Sequence, residues 1–585
     1  MTNSLRCTLA AAAILAAAHS PAAETAYRVP PENVFPALGA PSHPKVEIAW
    51  NRYYDVDGLN GFLRALAAAH PDFARVVKVG ESHQGREILA LEVTNYKVGD
   101  PATKPAMYID GNIHGNEVQA GEVVLHTAWY LLEMRENVER VGQLLDNSVF
   151  YLLPSINPDG RDYWFDNPNN PHTSRGGQIP TDNDLDGLVD EDGPEDLDGD
   201  GQITQMRRRT PFGTHKPDPQ FPDRLMVRVG PDERGEFEVL GTEGIDNDGD
   251  GEVNEDGPGG YDPNRNWAWD WQPEGVQGGA HRYPFSLPET RAVRDYVLAR
   301  PNIAAAQSYH NAGGMILSGP GREGAVVHDG DASLYKLIGE RGEQMLPAYD
   351  YLITWKDLYT VWGGELEWFY GGLGILCYTN ELWSNDNLHR TPDPDANARM
   401  RFVRDVLLDQ GFTAWTTHTH PQYGEVEVGG THATFGRVPP SFLLEEEMHR
   451  NTVFTLFHAE QMPRLSIGEV AVERLGRGLS RVRADIVNDG LTPTRLQQDV
   501  ENKITPANSA TITGRGLKVL ASGIVTDRDH GRVDFQHDRP ERLRVDAVPG
   551  NGRVTVEFIV SGDGKGTLRF EAMKGGLAEK EFEVE

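Results

Sequence analysis

Residues 106–133 read AMYIDGNIHGNEVQAGEVVLHTAWYLLE, and this stretch decides the fold. Ala106–Gly111 is a short apolar run closed by glycine, the length and composition of a buried strand. From Val118 to Glu133 the apolar residues recur at helical spacing. Between the two lies His114-Gly115-Asn116-Glu117. A strand that feeds a helix through a tight turn is the repeating unit of an α/β sheet, and such a turn aims its side chains beyond the strand end. Imidazole nitrogen and carboxylate oxygen are both zinc donors, and a catalytic zinc keeps three protein ligands and one open position. His114 and Glu117 would supply two of them. By itself the pair is weak, because His-x-x-Glu recurs by chance in a chain of 585 residues.

Working outward, the pattern on both sides stays α/β. Leu59–Ala69 is helical, Arg75–Val79 and Ile88–Val93 are strands joined by the polar Gly80–Gly85 connection, and Val149–Leu153 is a strand followed by the turn sequence Asn157-Pro158-Asp159-Gly160. Further on, Pro288–Arg300 reads as a helix, Ile303–Tyr309 and Gly374–Thr379 as strands, and Glu445–Gln461 as a last helix. A catalytic α/β unit is therefore expected over residues 46–462. From about Arg464 the texture changes to short alternating segments such as Arg481–Ile486 and Arg553–Val560, separated by Gly, Asn, Asp and Pro. Residues 463–585 are expected to form an all-β sandwich, and no catalytic cluster is found in them.

The bulk numbers exclude some functions. The net charge is -33, from 55 basic and 88 acidic residues, so nucleic acid, which needs a cationic surface, is not an expected partner. No internal apolar run is long enough to span a membrane. At the N-terminus, Arg6, the apolar run Cys7–Ala18 and the small residues Ser20, Ala22 and Ala23 have the order of a secretory signal peptide. Residues 1–23 are expected to be removed, leaving a Pro-rich lead-in over 24–45 and a secreted or periplasmic protein. Cys377 would then be the single cysteine, so no internal disulfide can form.

Four more pieces surround the first pair. They are the cluster Tyr261-Asp262-Pro263-Asn264-Arg265-Asn266-Trp267, the strand end Ser308-Tyr309-His310, Tyr359 ahead of Gly363-Gly364, and Glu381 after the strand Gly374–Thr379. In this order, and with Glu381 22 positions after Tyr359, the set resembles the zinc metallocarboxypeptidases, the family of the pancreatic carboxypeptidases, over roughly residues 46–460. The resemblance implies a mixed twisted sheet with helices on both faces. It makes His114, Glu117 and His310 the zinc ligands and Glu381 the general base that takes a proton from water. It makes Asn264 and Arg265 the grip on a substrate's C-terminal carboxylate, Asp262 the carboxylate that orients a ligand histidine, and Tyr359 the residue that closes over the substrate. An oxyanion-stabilising arginine is expected between the Asn157–Gly160 turn and Asn264. Arg207 is preferred for it, with Arg208, Arg209 and Arg175 as alternatives. By the same resemblance Leu366, seven residues after Tyr359, helps set side-chain preference, and its neighbours Glu365 and Glu367 pull the other way. The implied reaction is hydrolysis of the C-terminal peptide bond of a peptide with a free carboxylate.

Residues 176–260 break the α/β rhythm with Asp, Gly and Pro. Asp182-x-Asp184-x-Asp186-Gly187 and Asp246-x-Asp248-x-Asp250-Gly251 are near copies 64 positions apart, with Asp196-x-Asp198-x-Asp200-Gly201 between them. Alternating carboxylates closed by glycine are how a short loop wraps oxygen ligands around Ca²⁺. The segment is expected to be an insertion held by Ca²⁺ rather than by a core, positioning Arg207. Two other functions fit the same residues. One is a peptidoglycan-peptide or γ-glutamyl carboxypeptidase or amidase. The other is a non-catalytic, Ca²⁺-dependent binding protein.

Overall fold

The computed structural model describes residues 38–168, 174–183, 185–392, 394–395 and 397–585. The expected leader, the lead-in up to residue 37 and Asp184 lie outside the described residues.

The strand Ala106–Gly111 is buried at every position, Asp110 included, and sits inside an eight-stranded sheet. In order the strands are Ala74–Glu81, Glu87–Val93, Val149–Leu153, Ala106–Gly111, Ile303–Asn311, Leu376–Leu382, Met315–Ser318 and Asp350–Ile353. The four central ones run parallel, and the strands that flank them, Glu87–Val93 and Met315–Ser318, pair antiparallel to them. One face is covered by helices Val56–Ala69, Gln119–Met134 and Leu444–Glu460, whose Leu63, Val124 and Met448 are fully buried in one apolar cluster. The other face packs against helix Pro288–Leu298 and the aromatic side chains of Trp267, Phe285, Trp368 and Phe369. This is the mixed sheet with helices on both faces.

Two local readings change. Asn157-Pro158-Asp159-Gly160 is not a free turn but the start of helix Pro158–Asp166, with the Asn157 side chain accepting from Gly160 N. Proline in the first turn and asparagine as cap are helix-start signals as much as turn signals. The acidic insertion, expected to lack a core, contains four strands. Gln205–Gly213, His215–Pro217, Met226–Arg228 and Gly235–Thr242 join Phe412–His420 and Gly424–Thr431 in a six-stranded sheet, with Met206, Val426 and Val428 buried against one another.

Beyond residue 464 the strands are antiparallel and form two sheets, of six and four strands. Leu479–Asn488 alternates strictly between buried and half-buried, and Phe558 and Phe570 fill the space between the sheets. Lys574, buried and paired with Asp499 of its own region (2.9 Å), docks this region on the rest by donating to the carbonyls of Leu373 (2.6 Å) and Gly374 (2.7 Å).

Helix Leu444–Glu460 buries Glu447, which accepts from Tyr349 Oη (3.2 Å) and Asn387 Nδ2 (2.9 Å). Burial pushes its carboxyl up to about 7 against the opposing pull of the Tyr349 hydrogen bond. An acid whose folded pKa is raised binds protons more tightly when folded, so stability falls as pH climbs from the ordinary carboxyl range to about 7 and is flat above it. Glu447→Gln keeps the acceptor and removes the charge. It is expected to raise Tm at pH 8, with the advantage shrinking by pH 5. Equal Tm changes at both pH values in thermal unfolding would refute this.

Candidate active site

The site forms where three neighbouring parallel strands end at one level. Gly111 lies opposite Tyr309, and His310 lies opposite Glu381. The chain leaving Gly111 turns through Asn112, at φ 57°, before helix Gln119–Met134. Asn112 Nδ2 donates to the carbonyls of His114 (2.8 Å) and Gly115 (3.1 Å), which fixes the turn. Gly115 is required by close approach: a Cβ there would meet Ser174 O at 2.3 Å. Its N–H donates to Arg175 O at 3.1 Å, so the turn also holds the backbone of Arg175.

His114 Nδ1 lies 2.9 Å from Glu117 Oε1, His310 Nδ1 lies 2.9 Å from Glu117 Oε2, and the two Nδ1 atoms are 3.3 Å apart. All three side chains are buried. The other ring nitrogen of His114 faces Asp262 Oδ1 at 3.0 Å. With one ring nitrogen on Asp262, the other turns to a second carboxylate, a place that a proton or a metal ion can fill. The donor set suits zinc: bonds of about 2.0–2.1 Å in a tetrahedron place donor atoms ~3.3 Å apart. Burial raises the Glu117 carboxyl, but the charges of His114 and His310 outweigh it and hold it well below the usual range.

Around this trio the structure gathers most of the expected residues. Glu381 faces it, and burial together with the neighbouring Glu117 carboxylate raises its pKa, against His310, His114 and Arg175. Asp262 caps the short turn Pro263–Arg265 by accepting from Asn264 N at 2.8 Å. Burial raises Asp262, yet Arg265, His114 and Arg175 bring it well below its ordinary value. Arg265 Nη1 is 3.8 Å from Asp262 and donates to Asn264 O at 2.8 Å. The Asn264 side-chain oxygen accepts from Glu365 N at 2.9 Å. Tyr359 is half exposed at the end of the turn Thr354–Leu358.

Residues 59–187 and 236–400, together half of the chain, match the family model described as zinc carboxypeptidase. The chain belongs to the zinc carboxypeptidase family. Residues 464–583 match a second family, described as a domain of unknown function. The chain is 38% identical over 116 residues to carboxypeptidase B of Astacus astacus, which is 20% of this chain and 36% of that protein. It is 32% identical over 132 residues to carboxypeptidase D of Homo sapiens, 22% of this chain and 10% of that protein. It thus spans little more than a third of the first relative's length and a tenth of the second's. The solved structure of thrombin activatable fibrinolysis inhibitor covers 72% of this chain and 79% of its own, with TM-score 0.45 and 16% identity. That of carboxypeptidase A from Helicoverpa armigera covers 71% and 75%, with TM-score 0.44 and 18% identity.

The structure does not bring the preferred arginine to the trio of His114, Glu117 and His310. Arg207 lies in the insertion's own sheet, bonded to Glu427 at 2.7 Å and stacked 3.9 Å over Trp415 and 4.3 Å over Phe237. Arg208 pairs with Glu238, and Arg209 lies over Phe237. The arginine at the site is Arg175, 3.0 Å from Glu117 and 3.5 Å from Asp262. Burial lowers its pKa, but the surrounding carboxylates of Asp262, Glu117 and Glu381 and the Tyr359 hydroxyl raise it further. Its sequence signal was the adjoining Gly176-Gly177, which lets two chain segments meet. Leu366 is taken up by the apolar cluster with Trp267 and Phe369. Successive residues of a helical turn point about 100° apart, so its neighbours face elsewhere: Glu365 accepts from Ser308 Oγ at 3.2 Å, and Glu367 lies near Arg265. Burial pushes Glu367 up to about 7, with Arg265 pulling it down.

In the insertion, Asp246, Asp248 and Asp250 bring carboxylates together, as do Asp196 and Asp198 with Glu243, and Asp186 with Glu191 and Asp248. Asp182 accepts from Leu185 N and Gly187 N, and Asp200 accepts from Gln202 N, so both wrap their own loops.

Arg175→Ala is expected to lower kcat about 10²–10³-fold, the cost of losing one oxyanion donor, with zinc content unchanged. Arg207→Ala is expected to lower Tm and leave kcat intact, since it uncovers Trp415 and leaves Glu427 with only the longer contact to Arg209 at 3.6 Å. Steady-state kinetics with metal analysis on both variants checks the assignment, and the reverse pattern would return the role to Arg207.

Proposed function

We propose that the protein is a zinc metallocarboxypeptidase that hydrolyses the C-terminal peptide bond of peptides or proteins. The observation that carries this is Glu381 in register with His310, with Arg265 and Asn264 held beside the same cluster by Asp262. His114, Glu117 and His310 would hold the zinc. Bound zinc supplies a Lewis acid for the scissile carbonyl and brings the pKa of water down to about 7.

Glu381 takes one proton from the attacking water and returns it to the departing amine, which becomes the new N-terminus of the released residue. A raised carboxyl pKa suits that double role, because the group must both accept and give the proton near neutrality. Arg175 donates to the carbonyl oxygen as negative charge develops there. Arg265, with a planar fork, and Asn264 receive the terminal carboxylate. That anchor makes the enzyme an exopeptidase, since a substrate with a blocked C-terminus has nothing to place there. Tyr359, exposed at the rim, covers the bound residue.

Ca²⁺ is proposed as the cation of the acidic loops, supported by all-oxygen donors and glycines at the sixth place. A secreted or periplasmic location is supported by the apolar run after Arg6. Among the described residues no helix is long and apolar enough to cross a membrane.

Blocked dipeptides and longer peptides with varied last residues, each as free acid and as amide, test the proposal. Release of the last residue from the acids alone is expected. Glu381→Gln should lose about 10²–10⁴-fold in kcat, the range for a general base, while keeping zinc. Cleavage of the amides at equal rate, or an unaffected Glu381→Gln, would sink the exopeptidase assignment.

A further inference from the structure

The two near-copied acidic loops meet face to face. Asp192 of the first and Asp256 of the second form an antiparallel bridge, Asp192 N to Asp256 O at 3.3 Å and Asp256 N to Asp192 O at 3.0 Å. The two aspartates hold equivalent places, 64 positions apart, so the contact is self-complementary. Each carboxylate crosses to the other loop. Asp256 reaches the first loop, within hydrogen-bonding reach of Glu191, and Asp192 reaches the second, beside Glu255. Asp248 of the second loop likewise stands with Asp186 and Glu191 of the first.

Both crossing aspartates are fully buried. Asp256 Oδ1 accepts from Asn183 N at 3.1 Å, but Asp256 Oδ2 has no hydrogen-bond partner, nor have Glu191 Oε2 and both Glu255 oxygens. Buried anionic oxygens facing one another without donors are strongly destabilising unless a proton or a metal ion lies between them. Only oxygen donors are present, which selects a hard divalent cation of the calcium class.

The clasp sits at the neck of the insertion. From the bridge the two stems run side by side to the zinc site. Asn183 Nδ2 donates to Gly257 O at 3.2 Å, and Ile179 N donates to Tyr261 Oη at 3.1 Å. A Cβ on Gly176 would meet Tyr261 O at 2.0 Å. The next residue on one stem is Arg175 and on the other Asp262, and these two contact each other and the zinc ligands.

We propose that the two loops form one reciprocal calcium clasp, each half closed by the buried aspartate of the other, and that its occupancy holds Arg175 and Asp262 in their catalytic places. This rests on the calcium reading of the loops and extends it: binding is shared between loops, and it is coupled to turnover.

The test uses the full chain, stripped on chelating resin and reloaded with one equivalent of zinc. Calcium binding is followed by calorimetry, kcat by peptide hydrolysis, and the neck by limited proteolysis. Wild type is expected to bind calcium, to gain kcat as calcium rises with zinc content constant, and to become protected from cleavage over residues 176–262. Asp256→Asn, and the more exposed Glu255→Gln should the first not fold, are expected to weaken calcium binding at both loops at least tenfold, with kcat restored by excess calcium. Weakened binding at one loop only would overturn the reciprocal clasp. Calcium binding with kcat and Arg175-dependent turnover unchanged would overturn the coupling. Calcium binding and protection in a protein that cleaves no peptide would sustain the clasp and fail the peptidase reading, whereas no calcium binding by a working peptidase would fail the clasp alone.

Discussion

Everything at the catalytic end depends on the register of three parallel strands. With Gly111 opposite Tyr309 and His310 opposite Glu381, the turn after the first strand, the end of the second and the end of the third reach the same height. Side chains in a strand alternate faces, so a slip of one residue would send His310 or Glu381 to the wrong side. The hydrophobic pattern on the strands and the helices packed against both faces forbid that slip, and a donor set within a few tenths of an ångström of zinc geometry follows from it.

Converging lone pairs need rigid backing, because nothing in the apoprotein favours them. Part of that backing is a fully buried ion pair. Arg161 bonds Glu122 at 2.7 Å and donates to Tyr54 O and Val118 O. It thereby ties helix Pro158–Asp166 to the start of the helix that follows Glu117. A buried pair of this kind adds little net stability over apolar residues, but it leaves both partners costly to displace. On the far side Lys574 fixes the carbonyls just before the strand that carries Glu381, so the β-rich C-terminal region braces the catalytic sheet as well as adjoining it.

The long insertion is tolerated because it leaves and re-enters the fold at one place. Its two stems touch at Gly176 and Tyr261, and closing a loop whose ends already meet costs little more for added length. That economy puts Arg175 and Asp262, both in contact with the His114–Glu117–His310 cluster, at the ends of a segment with its own sheet and its own carboxylate loops.

The sequence alone determined the central strands and the helices, and it singled out His114, Glu117 and His310, with Asp262, Asn264, Arg265 and Glu381, as residues that the fold then brings together. These rest on local signals: unbroken apolar runs, helical spacing, and donors a fixed few residues apart at strand ends. Tertiary structure alone decided the rest. Arg207 sits in a strand that pairs with Glu427, some two hundred residues away, and no local pattern distinguishes an arginine stacked on Trp415 from one aimed at a substrate. Arg175 reaches the site because Gly115 and Gly176 allow backbones to touch, which depends on which segments meet. Leu366 is apolar wherever it points, and only the packing of Trp267 and Phe369 put it in the core. The crossing of Asp192 and Asp256 was likewise hidden, because repetition shows that two loops are alike but not that each completes the other. Local sequence fixes what a segment can form, and the contacts between distant segments fix which of its side chains are left to act.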